Sequence, residues 1–267
     1  MGALTWRQIS KVDTRRLGEA RRQAHNAVQW LARMAHSYMR PKPENGHLLL
    51  QWDAQRQALV TREFLPSFAL ELRLPNLALQ FKEDGRPAPH VIEIDDRTPA
   101  EVEAWVLVEL LHRGIDRDRF AKDLPYEIPH LMTGDAIPYV TEGLTGELGQ
   151  LADWFANAAS LLEQIGDAYP APAPRASAGV WCWPEPFHLA TLVQPHRTRR
   201  SPGHVLRAGW SPGDSAHDEP HFYVTSHAPR ARPSAASRMT TTEIGSMDRP
   251  EEAVADFLRR AIDRVAN

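Results

Sequence analysis

The chain has 267 residues, a formal net charge of −3 and a pI near 6.5, with 42% hydrophobic and 24% charged residues. A chain of this size buries most of its apolar surface on folding and needs no disulfide or metal for stability; its single cysteine, Cys182, cannot form an internal disulfide. The weakly acidic balance sets up no general field for nucleic acid or an acidic membrane, no apolar run approaches the roughly 18 residues that span a bilayer, and the opening MGALTWRQISKVDTRR has no apolar h-region, so the expectation is a soluble cytoplasmic protein without nucleic-acid or membrane partners.

Residues 13–38 carry a helical pattern. Leu17, Ala20, Ala24, Ala27, Leu31, Met34 and Tyr38 recur at three- and four-residue steps, and Asp13 or Thr14 can cap the first turn. The opposite face is basic (Arg15, Arg16, Arg21, Arg22, Arg33) and reads as a solvated face. Short β-type runs follow: HLLLQWD (47–53), ALVTREF (58–64), FALELRL (68–74), LALQFKE (77–83) and HVIEIDD (90–96). Turn chemistry separates them, Asp84-Gly85 above all, and predicts four or five antiparallel strands forming a sheet with one wet face.

Thr98-Pro99-Ala100-Glu101 opens a helix that Gly114 ends. Threonine caps, proline suits the first turn, and glutamate can reach back to the cap N–H. Val102, Trp105, Val106, Glu109 and Leu110 give it a wide inward stripe. Residues 115–140 lack periodicity and read as a long packed connection or a functional loop. A second long helix spans 144–169, with Leu148, Leu151, Phe155, Ala158 or Ala159, Leu162 and Ile165 inward. PAPAPRAS (170–177) reads as an extended linker between an N-terminal part, 1–169, and a strand-rich part, 178–267, within one compact unit. Strands are expected at 178–192, 203–210, 219–226 and 238–244. A closing helix at 250–265 would turn Ala253, Phe257, Ala261 and Val265 inward. The fold class predicted is α+β: antiparallel sheets from two strand-rich halves, with long amphipathic helices packed on one face.

Chemistry concentrates in 181–227, which holds half of the twelve histidines and three of the eight tryptophans. On a strand, residues two apart share a face. His217, Glu219 and His221 would then align as two imidazoles and a carboxylate, a zinc or non-haem iron ligand set, although Pro220 can break that geometry. A divalent metal is therefore possible here, without being favoured. Ser211-Pro212-Gly213-Asp214 is a turn signature that presents Asp214 near Glu219, and two carboxylates in unlike environments can divide acid and base roles. Cys182 lies in an apolar strand and reads as an inert buried thiol. Trp181 and Trp183 share the face opposite Cys182 and, with Phe187 and Trp210, line an aromatic pocket or fill a core. The loop 194–202, with Arg197, Arg199 and Arg200, is locally basic and reads as solvated or phosphate-binding. Walker, dinucleotide-binding, nucleophile-elbow, zincin and CxxC signatures are all missing.

Two motifs, Trp183-Pro184-x-x-Phe187-His188-Leu189-Ala190-Thr191 and Ser211-Pro212-Gly213-Asp214 leading to Glu219-Pro220-x-Phe222-Tyr223-Val224, resemble those of a group of bacterial proteins of about this length. The similarity is clearest over the last third of the chain. That group carries no assigned activity, so the resemblance implies no mechanism. An aspartate often stands there in place of His188, and His221 is replaceable by a non-ligand, which directs attention to Asp214 and Glu219. The expectation is thus a pocket in the C-terminal half that binds a small molecule, with or without catalysis. Trp183, His188, Asp214, Glu219 and Tyr223 would line it, the 115–140 loop would border it, and Asp214 and Glu219 are the catalytic candidates. The alternatives are a non-catalytic structural or interaction protein and a metal-dependent enzyme using His217, Glu219 and His221.

Overall fold

A computed structural model describes residues 6–7, 9, 13–65, 67–171, 179–195, 205–214, 217–226 and 237–266. Arg197, Arg199 and Arg200 and most of the 170–177 segment lie outside the described residues. The fold is α+β, with two separate five-stranded antiparallel sheets, each with its strands side by side in chain order. The chain divides into two compact units, residues 15–152 and residues 153–267 together with 1–14. The division falls inside a long helix, between Ala152 and Asp153.

In the 15–152 unit, α1 (Thr14–Tyr38) is followed by β1 (Gln51–Asp53), β2 (Ala58–Val60), β3 (Phe68–Arg73), β4 (Ala78–Glu83) and β5 (Arg86–Glu93). The β4–β5 turn uses Asp84 and Gly85 at φ +48° and +74°, the left-handed conformation a two-residue hairpin requires. Leu59, Leu72 and Leu79 stand opposite one another across β2, β3 and β4 and are fully buried. The other face of this sheet is exposed at its edges, at Gln51, Val91 and Glu93, but covered at its centre. Glu71 on β3 is buried beside Ala58, Val60 and Ala69, because Arg56 reaches over it with Nε 2.9 Å from both carboxylate oxygens. Gln80, paired with Glu71 in the ladder, accepts from the same guanidinium at 3.0 Å. A charged side chain on a strand signals water only when no partner can follow it inward.

The helix α2 (Pro99–His112) opens on a complete capping box between Thr98 and Glu101 and stops before Gly114, at φ +65°. The inward stripe of α1 is buried as expected, but Arg33 is buried too, its guanidinium 4.7 Å from the Trp30 ring centroid. Segment 115–140 is tied to polar residues of α1. Ser37 Oγ accepts from the Ala121 N–H at 2.8 Å, Gln29 Oε1 from the Tyr126 hydroxyl at 2.9 Å, and Asn26 Oδ1 from the Met132 N–H at 2.7 Å. Trp30 Nε1 donates to Tyr139 Oη at 3.0 Å within the core.

The helix α3 (Thr145–Ala168) crosses from one unit into the other. The second unit continues with β6 (Val180–Trp183), β7 (His188–Val193), β8 (Leu206–Ser211), β9 (His221–Ser226), β10 (Ser237–Thr240), α4 (Thr241–Gly245) and α5 (Pro250–Ala266). The run expected as a strand over 238–244 is strand only to Thr240. There a second capping box, Thr240 with Glu243, starts a helical turn. In α5 the buried side is Val254, Leu258, Ala261 and Ile262, rotated by one residue from the expected stripe, so that Ala253 and Phe257 flank it. Cys182, Leu189, Trp210, Phe222 and Met239 form one row across the five strands and face the core. Trp210 stacks on Trp154 of α3 at 6.3 Å and meets Phe155 edge-on at 5.1 Å, while Phe187 lies 5.4 Å from Phe155. Trp210 and Phe187 are therefore core residues. Burial pushes the Cys182 thiol well above its ordinary pKa, which keeps it protonated. No helix among the described residues is long and apolar enough to cross a membrane.

Candidate functional site

The face of the second sheet opposite the core is set by the same registers. Trp181, Ala190, Gly209, Tyr223 and Arg238 form one row. In the next row Trp183 pairs with His188, and His221 stands between Ser211 and Thr240. The centre of the face is Gly209, and the Tyr223 ring lies across it. A Cβ at position 209 would stand 2.6 Å from Tyr223 Cζ and Oη and 2.9 Å from the Ala190 Cβ. This is the close approach that a strand glycine permits.

Tyr223 and four further side chains close a ring on this face. The His188 and Tyr223 rings are 5.5 Å apart, Tyr223 and His221 are 6.1 Å apart, and His221 and His217 are 5.6 Å apart. Asp214 completes the circuit, with Oδ2 3.9 Å from His188 Nε2 and Oδ1 3.7 Å from His217 Nδ1. The turn that carries Asp214 follows from its sequence. Gly213 adopts φ +97°, and its N–H donates to Ser211 Oγ at 3.1 Å. Asp214 Oδ1 accepts from the His217 N–H at 2.8 Å, and the Asp214 N–H donates to the His217 carbonyl at 2.7 Å.

The floor of the ring is buried and its rim is open. Tyr223 and His221 are buried, whereas the side chains of Asp214 and His217 are 39% and 38% exposed. Burial raises the Tyr223 phenol to about 12, so it keeps its proton. Burial lowers the His221 pKa and outweighs the Glu219 carbonyl, which favours the proton. Nδ1 of His221 lies 2.9 Å from that carbonyl and must donate to it, which leaves Nε2 as the acceptor. Arg238 donates to His217 Nε2, since a guanidinium has no acceptor, and this places the proton of a neutral His217 on Nδ1, toward Asp214. Arg207 covers the Trp183 ring at 4.9 Å, beside the cluster.

Of the residues singled out in the sequence, His188, Asp214, His217, His221 and Tyr223 come together, and Trp183 stands on the same face. Glu219 does not join them. Its carboxylate turns to the start of α4, where Oε1 accepts from the Thr242 N–H at 2.6 Å and the Thr241 hydroxyl at 3.1 Å. Burial alone would raise its pKa, but these bonds prevail and hold it below the usual carboxylate range. The expected alignment of His217, Glu219 and His221 on one strand does not form, because β9 begins only at His221, after Pro220. These three are also not among the groups of His, Cys, Asp and Glu whose ligand atoms gather within metal-binding reach. Residues 115–140, expected to border the pocket, attach to α1 within the 15–152 unit. Gly209, Arg207 and Arg238 were not singled out in the sequence. Alternation within β8 and β10 puts them on one side, but only the pairing registers bring them to one place. No protein-family model, curated protein or solved structure matches the chain.

Proposed function

We propose that this protein binds a small polar molecule on the outer face of the second sheet, at the ring of His188, Asp214, His217, His221 and Tyr223. The observation that carries the reading is the closed circuit of five donor and acceptor groups, drawn from β7, β9 and the turn between β8 and β9, with a buried floor and an open rim. Folding alone does not require three imidazoles, a carboxylate and a phenol to converge, and buried polar groups are costly unless satisfied. The mixture of acceptors (Asp214 and imidazole nitrogens) and donors (Tyr223 and imidazole N–H groups) suits a hydroxylated or zwitterionic metabolite. Trp183, under Arg207, would flank it. Asp214 beside His188 supports proton transfer as an extension of the same reading. Glu219 has no part in it.

A second reading is structural. Asp214 and Glu219 both accept from backbone N–H groups, which supports turn and helix capping as their whole role. A thermal-shift screen against a broad panel of polar metabolites separates the two. A ligand present at about 100 times its Kd stabilises the native state by about 2.7 kcal/mol. Binding at the ring predicts at least one compound that raises Tm in the wild type and fails to do so in His188→Gln. A panel without hits, or hits indifferent to His188, favours the structural reading.

A further inference from the structure

In the 15–152 unit, two histidines and a carboxylate meet. His90 lies on β5, and Glu109 and His112 lie three residues apart on α2, so the latter two share a helix face. Their ligand-capable atoms all lie within 4.8 Å of one another, and among the described residues no other three His, Cys, Asp or Glu side chains do so. Glu109 Oε1 is 2.9 Å from His90 Nδ1 and 3.5 Å from His112 Nδ1. Donor atoms about 2.0–2.1 Å from a tetrahedral ion are separated from one another by about 3.3 Å, and the two measured separations bracket that value.

The carboxylate is fixed in advance. Its side chain is only 3% exposed, and Arg113 NH1 donates to Oε2 at 2.7 Å. Arg113 is itself held, ion-paired with Glu83 at 2.9 Å and lying over the Phe81 ring at 4.3 Å. Oε2 is thus committed, and Oε1 is the oxygen shared by the two imidazoles. The imidazoles are 61% and 55% exposed, so an ion can reach them directly from water. A surface ion pair with Glu109 needs one histidine. The second imidazole on the same oxygen is what a metal site adds.

We propose that His90, Glu109 and His112 bind one divalent transition-metal ion of the zinc class, with water in the remaining positions. Two imidazoles and one carboxylate select borderline ions such as Zn²⁺, Co²⁺, Ni²⁺ or Cu²⁺ over the oxygen-seeking Mg²⁺ and Ca²⁺. Arg113 acts as the positioning residue that orients the carboxylate, as outer partners of metal ligands do. The site is independent of the binding ring and stands whether or not that reading holds.

The test is calorimetric titration of the untagged full chain, stripped of metal, with Zn²⁺ at about pH 7.5, where free imidazoles are neutral. Co²⁺ absorption serves as a second readout. The wild type is expected to take up one ion, and His90→Gln and His112→Gln, both at exposed positions, to weaken binding by about tenfold or more, since loss of even an outer partner costs that much. The double variant His217→Gln/His221→Gln is expected to bind as the wild type does, and circular dichroism checks that each variant is folded. Failure of the wild type to bind stoichiometrically overturns the proposal. So does binding indifferent to both His90 and His112, or binding lost only on replacing His217 and His221.

Discussion

Replacing Gly209 by alanine tests how the outer face of the second sheet is built. The added methyl would lie 2.6 Å from Tyr223 Cζ and Oη and 2.9 Å from the Ala190 Cβ, where unstrained carbon contacts need about 3.5–4.0 Å. Tyr223 must therefore shift by about 1 Å, and its ring is buried on the sheet and cannot swing freely into water. Ala190 is fixed by pairing on both sides. Overpacking of this kind costs about 1–3 kcal/mol, and at about 2 kcal/mol the Tm of a chain this long falls by about 4–8 °C. Gly149→Ala is the control. It lies within α3 with nothing within 4 Å of an added Cβ, and should stabilise by about 0.5–1 kcal/mol. Urea denaturation followed by circular dichroism measures both. Tyr223→Ala should cost less in the Gly209→Ala background than in the wild type, because the clash is relieved. A Gly209→Ala chain as stable as the wild type would refute the close approach and, with it, the placement of Tyr223 in the ring.

Arg56→Met should cost about 3 kcal/mol in chemical denaturation by stranding the buried Glu71 carboxylate, and Arg56→Met/Glu71→Leu should recover much of that; equal losses in the two variants would show that the stranded carboxylate is not the source of the cost. Glu219→Ala should lose about 1 kcal/mol of stability with ligand affinity unchanged, since its carboxylate serves the start of α4; a loss of affinity would return Glu219 to the site. Burial lowers the pKa of both His47 and His221 from 6.5, so the unfolded chain binds more protons there. Their contribution is complete above pH 6.5 and is lost as pH falls from there through the folded values. Denaturation midpoints measured across pH 8 to 5 should therefore fall on the acid side, and less steeply in His221→Gln; a flat profile contradicts the neutral burial of these imidazoles.

The parts of the fold legible in the sequence are those dictated by local chemistry. Thr98-Pro99-x-Glu101 fixes the start of α2, Asp84-Gly85 fixes a hairpin, and alternation in FALELRL puts Leu70 and Leu72 of β3 on one apolar side. The same chemistry was present at Thr240-x-x-Glu243, where the β-branched run 240–242 reads as strand although a capping box starts α4. The stripe of α5 was displaced by one residue because alanines flank the larger Val254, Leu258 and Ile262, and alanine marks an inward side poorly. Glu71 shows a different limit. Its partner Arg56 lies in the β1–β2 turn, and no periodicity announces that a guanidinium will cover it. The ring was half legible. Asp214 and its turn follow from Ser-Pro-Gly-Asp, whereas Gly209 gains meaning only once it stands between Ala190 and Tyr223. Glu109-x-x-His112 was visible as helix spacing, but His90 comes from a strand 19 residues earlier, and only tertiary structure joins it to them.

The most direct measurement of the central claim is the affinity of a metabolite found by the thermal-shift screen for the wild type and for His188→Gln/Asp214→Asn, by calorimetric titration. Binding at the ring predicts a saturable one-site isotherm in the wild type and, in the variant, a loss of about tenfold or more, equivalent to about 1.4 kcal/mol, with folding intact. Equal affinity in the two chains would contradict it.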